Sequence, residues 1–192
     1  RERRGVHGLQ ARMLSDPDLV VTDAFGLRNQ GIHSAPPGDD AEALPVPTSL
    51  LIDGDDTVLT YRKTHLWASN RGVFTPGDRY ATALLDGVRV GLLVCFDIEF
   101  PESARALGEL GAELLIVTNG NMDPYGPTHR TAIMARAMEN QAYAVMVNRV
   151  GEGDGNLVFA GGSAVVEPGG GLLLEAGREP CRQVIELDMQ RL

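Results

Sequence analysis

The chain has 192 residues, 43% of them hydrophobic, enough for one domain with a sizeable core. Its formal net charge is −9 and no basic stripe offsets it, which argues against nucleic acid as a partner. No apolar run reaches the roughly 18 residues of a membrane span, so no membrane partner is expected.

The one basic cluster, Arg1, Arg3, Arg4 and Arg12, reads as a solvated tail. The start lacks the apolar segment of a secretory signal, and the expected location is cytoplasmic. Residues 1–46 are rich in Arg, Asp, Pro and Gly and differ in pattern from residues 47–192. Within them Asp18-Leu19-Val20-Val21 reads as a short strand and Ser34 to Asp40 as a loop.

Regular patterning begins near Thr48. Ser49–Asp53 and Thr57–Tyr61 flank Gly54-Asp55-Asp56, a hairpin signal. Trp67 to Asp78 reads as a loop. Val88–Val94 is a nearly continuous apolar strand, expected to be buried on both faces. A helix follows over Pro101–Leu110, with Pro101 and Glu102 in its first turn and Gly111 as its stop. Glu113–Thr118 is a strand, Thr128–Ala142 a helix and Tyr143–Val147 a strand. Three short strands are expected near Leu157–Phe159, Ser163–Val166 and Val184–Leu187. Strands alternating with helices, then strands alone, predict an α/β protein with a mixed sheet.

The only cysteines are Cys95 and Cys181, too few for a disulfide framework or a zinc cluster. Cys95 follows a buried strand and precedes a helix. That corner presents a side chain at the carboxyl edge of the sheet and exposes backbone N–H groups to a developing oxyanion. By position alone Cys95 is either a nucleophile or an inert buried thiol. Lys63, in Tyr61-Arg62-Lys63-Thr64-His65-Leu66, is either a solvated lysine or a fixed positive charge for a thiolate and an oxyanion.

Several runs carry a resemblance. Tyr61–Leu66 resembles the lysine motif of the nitrilase superfamily, and Cys95-Phe96-Asp97-Ile98-Glu99-Phe100-Pro101-Glu102 resembles its cysteine elbow. Phe74-Thr75-Pro76-Gly77, Arg105 with Gly111-Ala112, Ala135–Gln141, Asn148-Arg149, and Gly161-Gly162-Ser163 with Pro168-Gly169 resemble later family segments in the same order. The resemblance implies a four-layer α-β-β-α sandwich, here N-terminally incomplete. It also implies hydrolysis of non-peptide carbon–nitrogen bonds, in amides or carbamoyl compounds more than nitriles, without cofactor or metal. Cys95 would be the nucleophile, with Lys63 and the backbone N–H of Phe96 holding the oxyanion. A homo-oligomer is expected.

Two departures stand out. The family's general-base glutamate is not found: Ala24 stands where it would be, and Asp23 is a weak substitute. Asn70 and Arg71 occupy the place where many members carry a second glutamate. The alternative is therefore a degenerate relative acting as a binding or structural subunit. Glu99, Glu102, Asn119, Asn121 and Glu139 are candidates for substrate binding or support. Of these, Glu102 fits first-turn dipole support and Glu139 an ion pair with Arg136. Asn119 and Asn121 fit either a pocket lining or a turn. His65 is not expected to act as a base.

Overall fold

The computed structural model describes residues 9–15, 21–22, 27–29, 46–53, 55–153 and 156–192. Three strands come from the first segment: β1 (Leu9–Ser15), β2 (Val21–Thr22) and β3 (Leu27–Asn29). Of the strand expected over Asp18–Val21, only Val21 lies within the described residues. Ser34–Asp40, Asp23 and Ala24 lie outside them.

The central sheet has six strands in the order β11-β10-β9-β8-β7-β6. Its parallel middle is β7 (Val88–Val94), β8 (Leu114–Asn119) and β9 (Tyr143–Asn148). Every residue of β8 and β9 is buried. Continuous burial is what parallel strands covered on both faces require. Helix α1 (Pro101–Glu109) links β7 to β8, and α2 (Gly126–Asn140) links β8 to β9. Antiparallel strands close the sheet: β6 (Thr82–Leu85) beside β7, then β10 (Ala164–Val166) and β11 (Leu172–Glu175) beyond β9.

A second, antiparallel sheet runs β2-β3-β4-β5, with β4 (Thr48–Asp53) and β5 (Asp56–Arg62) forming the expected hairpin. It packs on the central sheet through β4 against β7 and β5 against β6. β12 (Cys181–Leu187) pairs with β1, which lies against β9. The described residues thus supply one helical layer and the two larger sheets of the expected sandwich, with β1 and β12 as a separate two-stranded sheet. A second helical layer is not among them.

Helix α1 ends as its sequence predicts. Gly111 adopts φ 82°, its N–H donates to Gly108 O (2.9 Å), and Ala112 N–H donates to Leu107 O (3.0 Å). These two bonds satisfy carbonyls that the last turn leaves open. The strand expected over Leu157–Phe159 is absent. Among the described residues Val158 and Phe159 make only single bridges, to Glu152 and Met122. β6 and β11 were not expected. β6 returns to β7 through Asp86 (φ 49°) and Gly87 (φ 82°), two left-handed residues in a row, as a tight hairpin needs.

Close approach of α1 to the sheet depends on Gly91. A Cβ there would lie 2.9 Å from Leu107 Cδ1 and 3.2 Å from Leu107 Cβ. Gly91→Ala should therefore cost about 1–3 kcal/mol by overpacking, read as a lower urea midpoint at unchanged slope.

Candidate active site

Strand β5 ends at Arg62, and the next residue is held on both sides by backbone bonds. Lys63 N–H donates to Pro47 O (2.8 Å), and Lys63 O accepts from Gly77 N–H (2.7 Å). Gly77 approaches so closely that a Cβ would collide with the Arg62 carbonyl. This explains a glycine at the end of Phe74-Thr75-Pro76-Gly77. So fixed, the Lys63 side chain runs inward, only 4% exposed, and Nζ donates to the carbonyl of Val94 at 2.5 Å. The charge therefore sits at the residue before Cys95.

Cys95 opens a 3-10 turn, Cys95–Glu99, at the carboxyl end of β7. Its φ is 50°, a left-handed conformation that costs a non-glycine residue of order 1 kcal/mol or more. Asp97 holds the turn in that shape. Its carboxylate is fully buried and accepts from Val94 N–H (3.0 Å), His65 N–H (2.9 Å) and Tyr61 O–H (2.9 Å). The Thr64 hydroxyl adds a longer bond at 3.3 Å. The bond to Val94 is the reach-back half of a capping box, and the other three come from the lysine segment. Burial, reinforced by the Asp97 charge, pushes the ionisation of Tyr61 far up, so this phenol stays a donor.

His65 serves this same network. Its ring stacks on Phe100 at 3.9 Å, and Nδ1 lies 3.3 Å from both Asp97 Oδ1 and Ser103 Oγ. An edge-to-face set of rings continues the wall: Phe96 with Phe100 (5.0 Å), Trp67 with Phe96 (4.9 Å) and Trp67 with Tyr125 (5.3 Å).

On the helix side, buried Arg136 of α2 donates from Nε to Ile98 O (3.1 Å) and from Nη2 to Glu99 O (3.4 Å). Glu139 pairs with Arg136 Nη1 at 2.8 Å and so stands one residue removed from the turn. Glu99 Oε1 lies 2.9 Å from His129 Nε2. Asn119 is buried at the end of β8, with Nδ2 3.0 Å from His129 Nδ1. Asn121 acts through its backbone: its N–H donates to Asn148 Oδ1 (2.8 Å), and Asn148 Nδ2 returns a bond to its carbonyl (3.1 Å). Glu102 lies exposed in the first turn of α1, away from these contacts. Sequence reasoning named Asp97 only as one acid of the elbow and did not name His129. The available signal for His129 was its spacing from Arg136: seven residues, two helical turns, puts both on one face of α2. Among the described residues no group of three or more His, Cys, Asp or Glu is placed to hold a metal ion. Nor is any helix among them long and apolar enough to cross a membrane.

Asp97→Ala would strip a charged acceptor from four donors at once, one of them at 3.3 Å. Each such bond is worth about 1.5–3 kcal/mol, so a loss of about 3 kcal/mol or more is expected in urea unfolding. Tyr61 makes a pH prediction. Its folded ionisation lies above the ordinary 10.0, so its stabilisation is complete below that pH and is lost as pH rises past it. The alkaline limb of a stability–pH curve should be shallower in Tyr61→Phe. It should not vanish, because burial also raises Tyr143.

Residues 35–192 match the carbon-nitrogen hydrolase family. An (R)-stereoselective amidase from Pseudomonas sp. is 65% identical over 145 residues, which cover 76% of this chain and 53% of that protein. A Pseudomonas protegens protein described as a hydrolase in the pqqF 5' region is 39% identical, over 73% of this chain and 50% of its own. Among solved structures, a glutamate-to-glutamine mutant of the amidase from Nesterenkonia sp. AN1 superposes with TM-score 0.70 at 34% identity, over 75% of this chain and 56% of that one. That structure shows covalent addition of the acetamide moiety of fluoroacetamide at the active site cysteine. The chain spans about half the length of the curated relatives it matches. With the order of its motifs, its sheet and its elbow all in agreement, the chain belongs to the carbon-nitrogen hydrolase family.

Proposed function

We propose that the chain belongs to a cysteine-dependent hydrolase of amide-type carbon–nitrogen bonds, with residues 47–192 forming the hydrolase part. The observation that carries this reading is the meeting of two segments. Lys63 Nζ is bonded to the carbonyl that precedes Cys95, and Cys95 sits at a strained turn whose first N–H groups have no helical partner to claim them. The amide preference is supported by the amidase relatives.

In this reading the Cys95 thiolate attacks the substrate carbonyl carbon. A carbon–sulfur bond forms, and the carbonyl electron pair moves to oxygen. Phe96 N–H and the Lys63 ammonium hold that oxyanion. Collapse breaks the carbon–nitrogen bond, the amine leaves with a proton, and a thioester remains. Water then adds to the thioester carbon, the acid departs and the thiol is restored. The carboxylate that would shuttle these protons in the family has no assigned counterpart among the described residues. Glu99, Asn119 and Glu139 take supporting places around the turn. A homo-oligomer, suggested by the resemblance, and a cytoplasmic location belong to the same proposal.

The test is intact mass spectrometry after iodoacetamide at pH 7, with Cys95→Ala as control. Cys95 should react faster than Cys181 and faster than a free thiol. Lys63→Met should slow it about tenfold while unfolding stays cooperative. If Cys95 reacts at an ordinary thiol rate, or ignores the loss of Lys63, the nucleophile reading fails.

A further inference from the structure

His129 lies in the second turn of α2, 2% exposed, and its ring joins two elements that flank Cys95. Nε2 is 2.9 Å from Glu99 Oε1 and Nδ1 is 3.0 Å from Asn119 Nδ2. A carboxamide nitrogen only donates, so Nδ1 must accept, and the ring carries its proton on Nε2 and donates it to Glu99. The alternative, an imidazolium, would need the Asn119 amide turned to offer its oxygen. Burial opposes that state, and so does the Lys63 charge; the Glu99 carboxylate pulls the other way. The balance holds His129 below its ordinary value. Asn119 Oδ1 is itself buried with no partner among the described residues. The amide is therefore oriented through its nitrogen, which faces the ring and also donates to Met146 Sδ (3.3 Å), and not by its own oxygen.

The two partners are placed at opposite ends of one short turn. Glu99 is the last residue of the turn that Cys95 begins. Asn119 follows Thr118, which pairs with Val94 across β7 and β8, so it stands level with Cys95 on the adjacent strand. Arg136 holds the turn only by its carbonyls, at Ile98 and Glu99. The Glu99 side chain is three-quarters buried, with its Oε1 on the His129 ring. A buried imidazole costs more than an apolar side chain of that size unless its bonds matter.

We propose that His129 is a positioning residue, donating to Glu99 while accepting from Asn119 so that the Cys95–Glu99 turn keeps the strained shape that presents Cys95 and the Phe96 N–H. This rests on the reading of Cys95 as the nucleophile. His129 does not touch substrate; it acts through Glu99. An imidazole does this because its two nitrogens face opposite ways at a fixed separation, with one donor and one acceptor.

Two amide replacements separate the halves of the role. In His129→Gln the terminal nitrogen falls near the place of Nε2 and keeps the bond to Glu99. In His129→Asn the amide oxygen falls near Nδ1 and keeps only the bond to Asn119. The measurement is the iodoacetamide rate at Cys95 at pH 7, with thermal unfolding recorded for each variant. His129→Ala should slow the reaction about tenfold, His129→Gln should restore it to within about threefold, and His129→Asn should stay slow. Wild-type rates in His129→Ala, or equal rates in the Gln and Asn variants, overturn the proposal. If the Ala variant fails to fold, the Gln–Asn comparison decides. If wild-type Cys95 reacts no faster than a free thiol, the nucleophile reading falls. The rank order of the variants still judges the positioning role, since Gln above Asn keeps it and equality ends it.

Discussion

The buried carboxylate of Asp97 is the constraint around which the site is arranged. Its oxygens bind the last residue of β7, the backbone of His65 and the phenol of Tyr61. One side chain thus locks the cysteine turn to the segment that carries Lys63. The magnitudes favour this arrangement. A left-handed Cys95 costs of order 1–3 kcal/mol. Each hydrogen bond to a charged acceptor returns about 1.5–3 kcal/mol. The strain at Cys95 is sustained by its neighbours and would relax without them.

A second set of contacts closes the turn from the helix side. His129 and Arg136 lie two turns apart on α2 and reach the end of the same 3-10 turn. Their helix is placed by the parallel pairing of β8 with β9, and β8 pairs with β7. The site is therefore assembled at the carboxyl edge of three parallel strands, where turns meet and side chains converge. The lysine comes from the other sheet, through β5. Cys95 and Lys63 are neighbours only because β4 and β5 pack on β7 and β6.

Asn70 and Arg71, where the resemblance implies a second glutamate, lie at the end of a short 3-10 turn over Ala68–Asn70. That turn is knit by its own backbone, with Asn70 O accepting from Val73 and Phe74. Lys63 is restrained instead by Pro47, Gly77 and Val94, all through backbone atoms. Two of these partners are carbonyls that accept from Lys63, at its N–H and at Nζ, and the third, Gly77, donates its N–H to the Lys63 carbonyl.

The amino-acid order determined the local pieces. The apolar run Val88–Val94, the Pro101 start and Gly111 stop of α1, and the hairpin around Asp55 all follow from short-range preference and periodicity. The family motifs also marked Lys63 and Cys95. Two local readings failed. Leu157–Phe159 has strand-like residues but makes only isolated bridges among the described residues, while Thr82–Leu85 is a strand through the short-range Asp86-Gly87 hairpin that pairs it with β7. The roles of Asp97 and His129 were decided only in three dimensions. Their partners are largely backbone groups and side chains some 30 residues away, such as Glu99 for His129. A backbone N–H has no residue-type signature, and a carboxylate at an elbow looks alike whether it faces water or four donors. Tertiary packing alone made that choice, by removing the water that would otherwise have satisfied it.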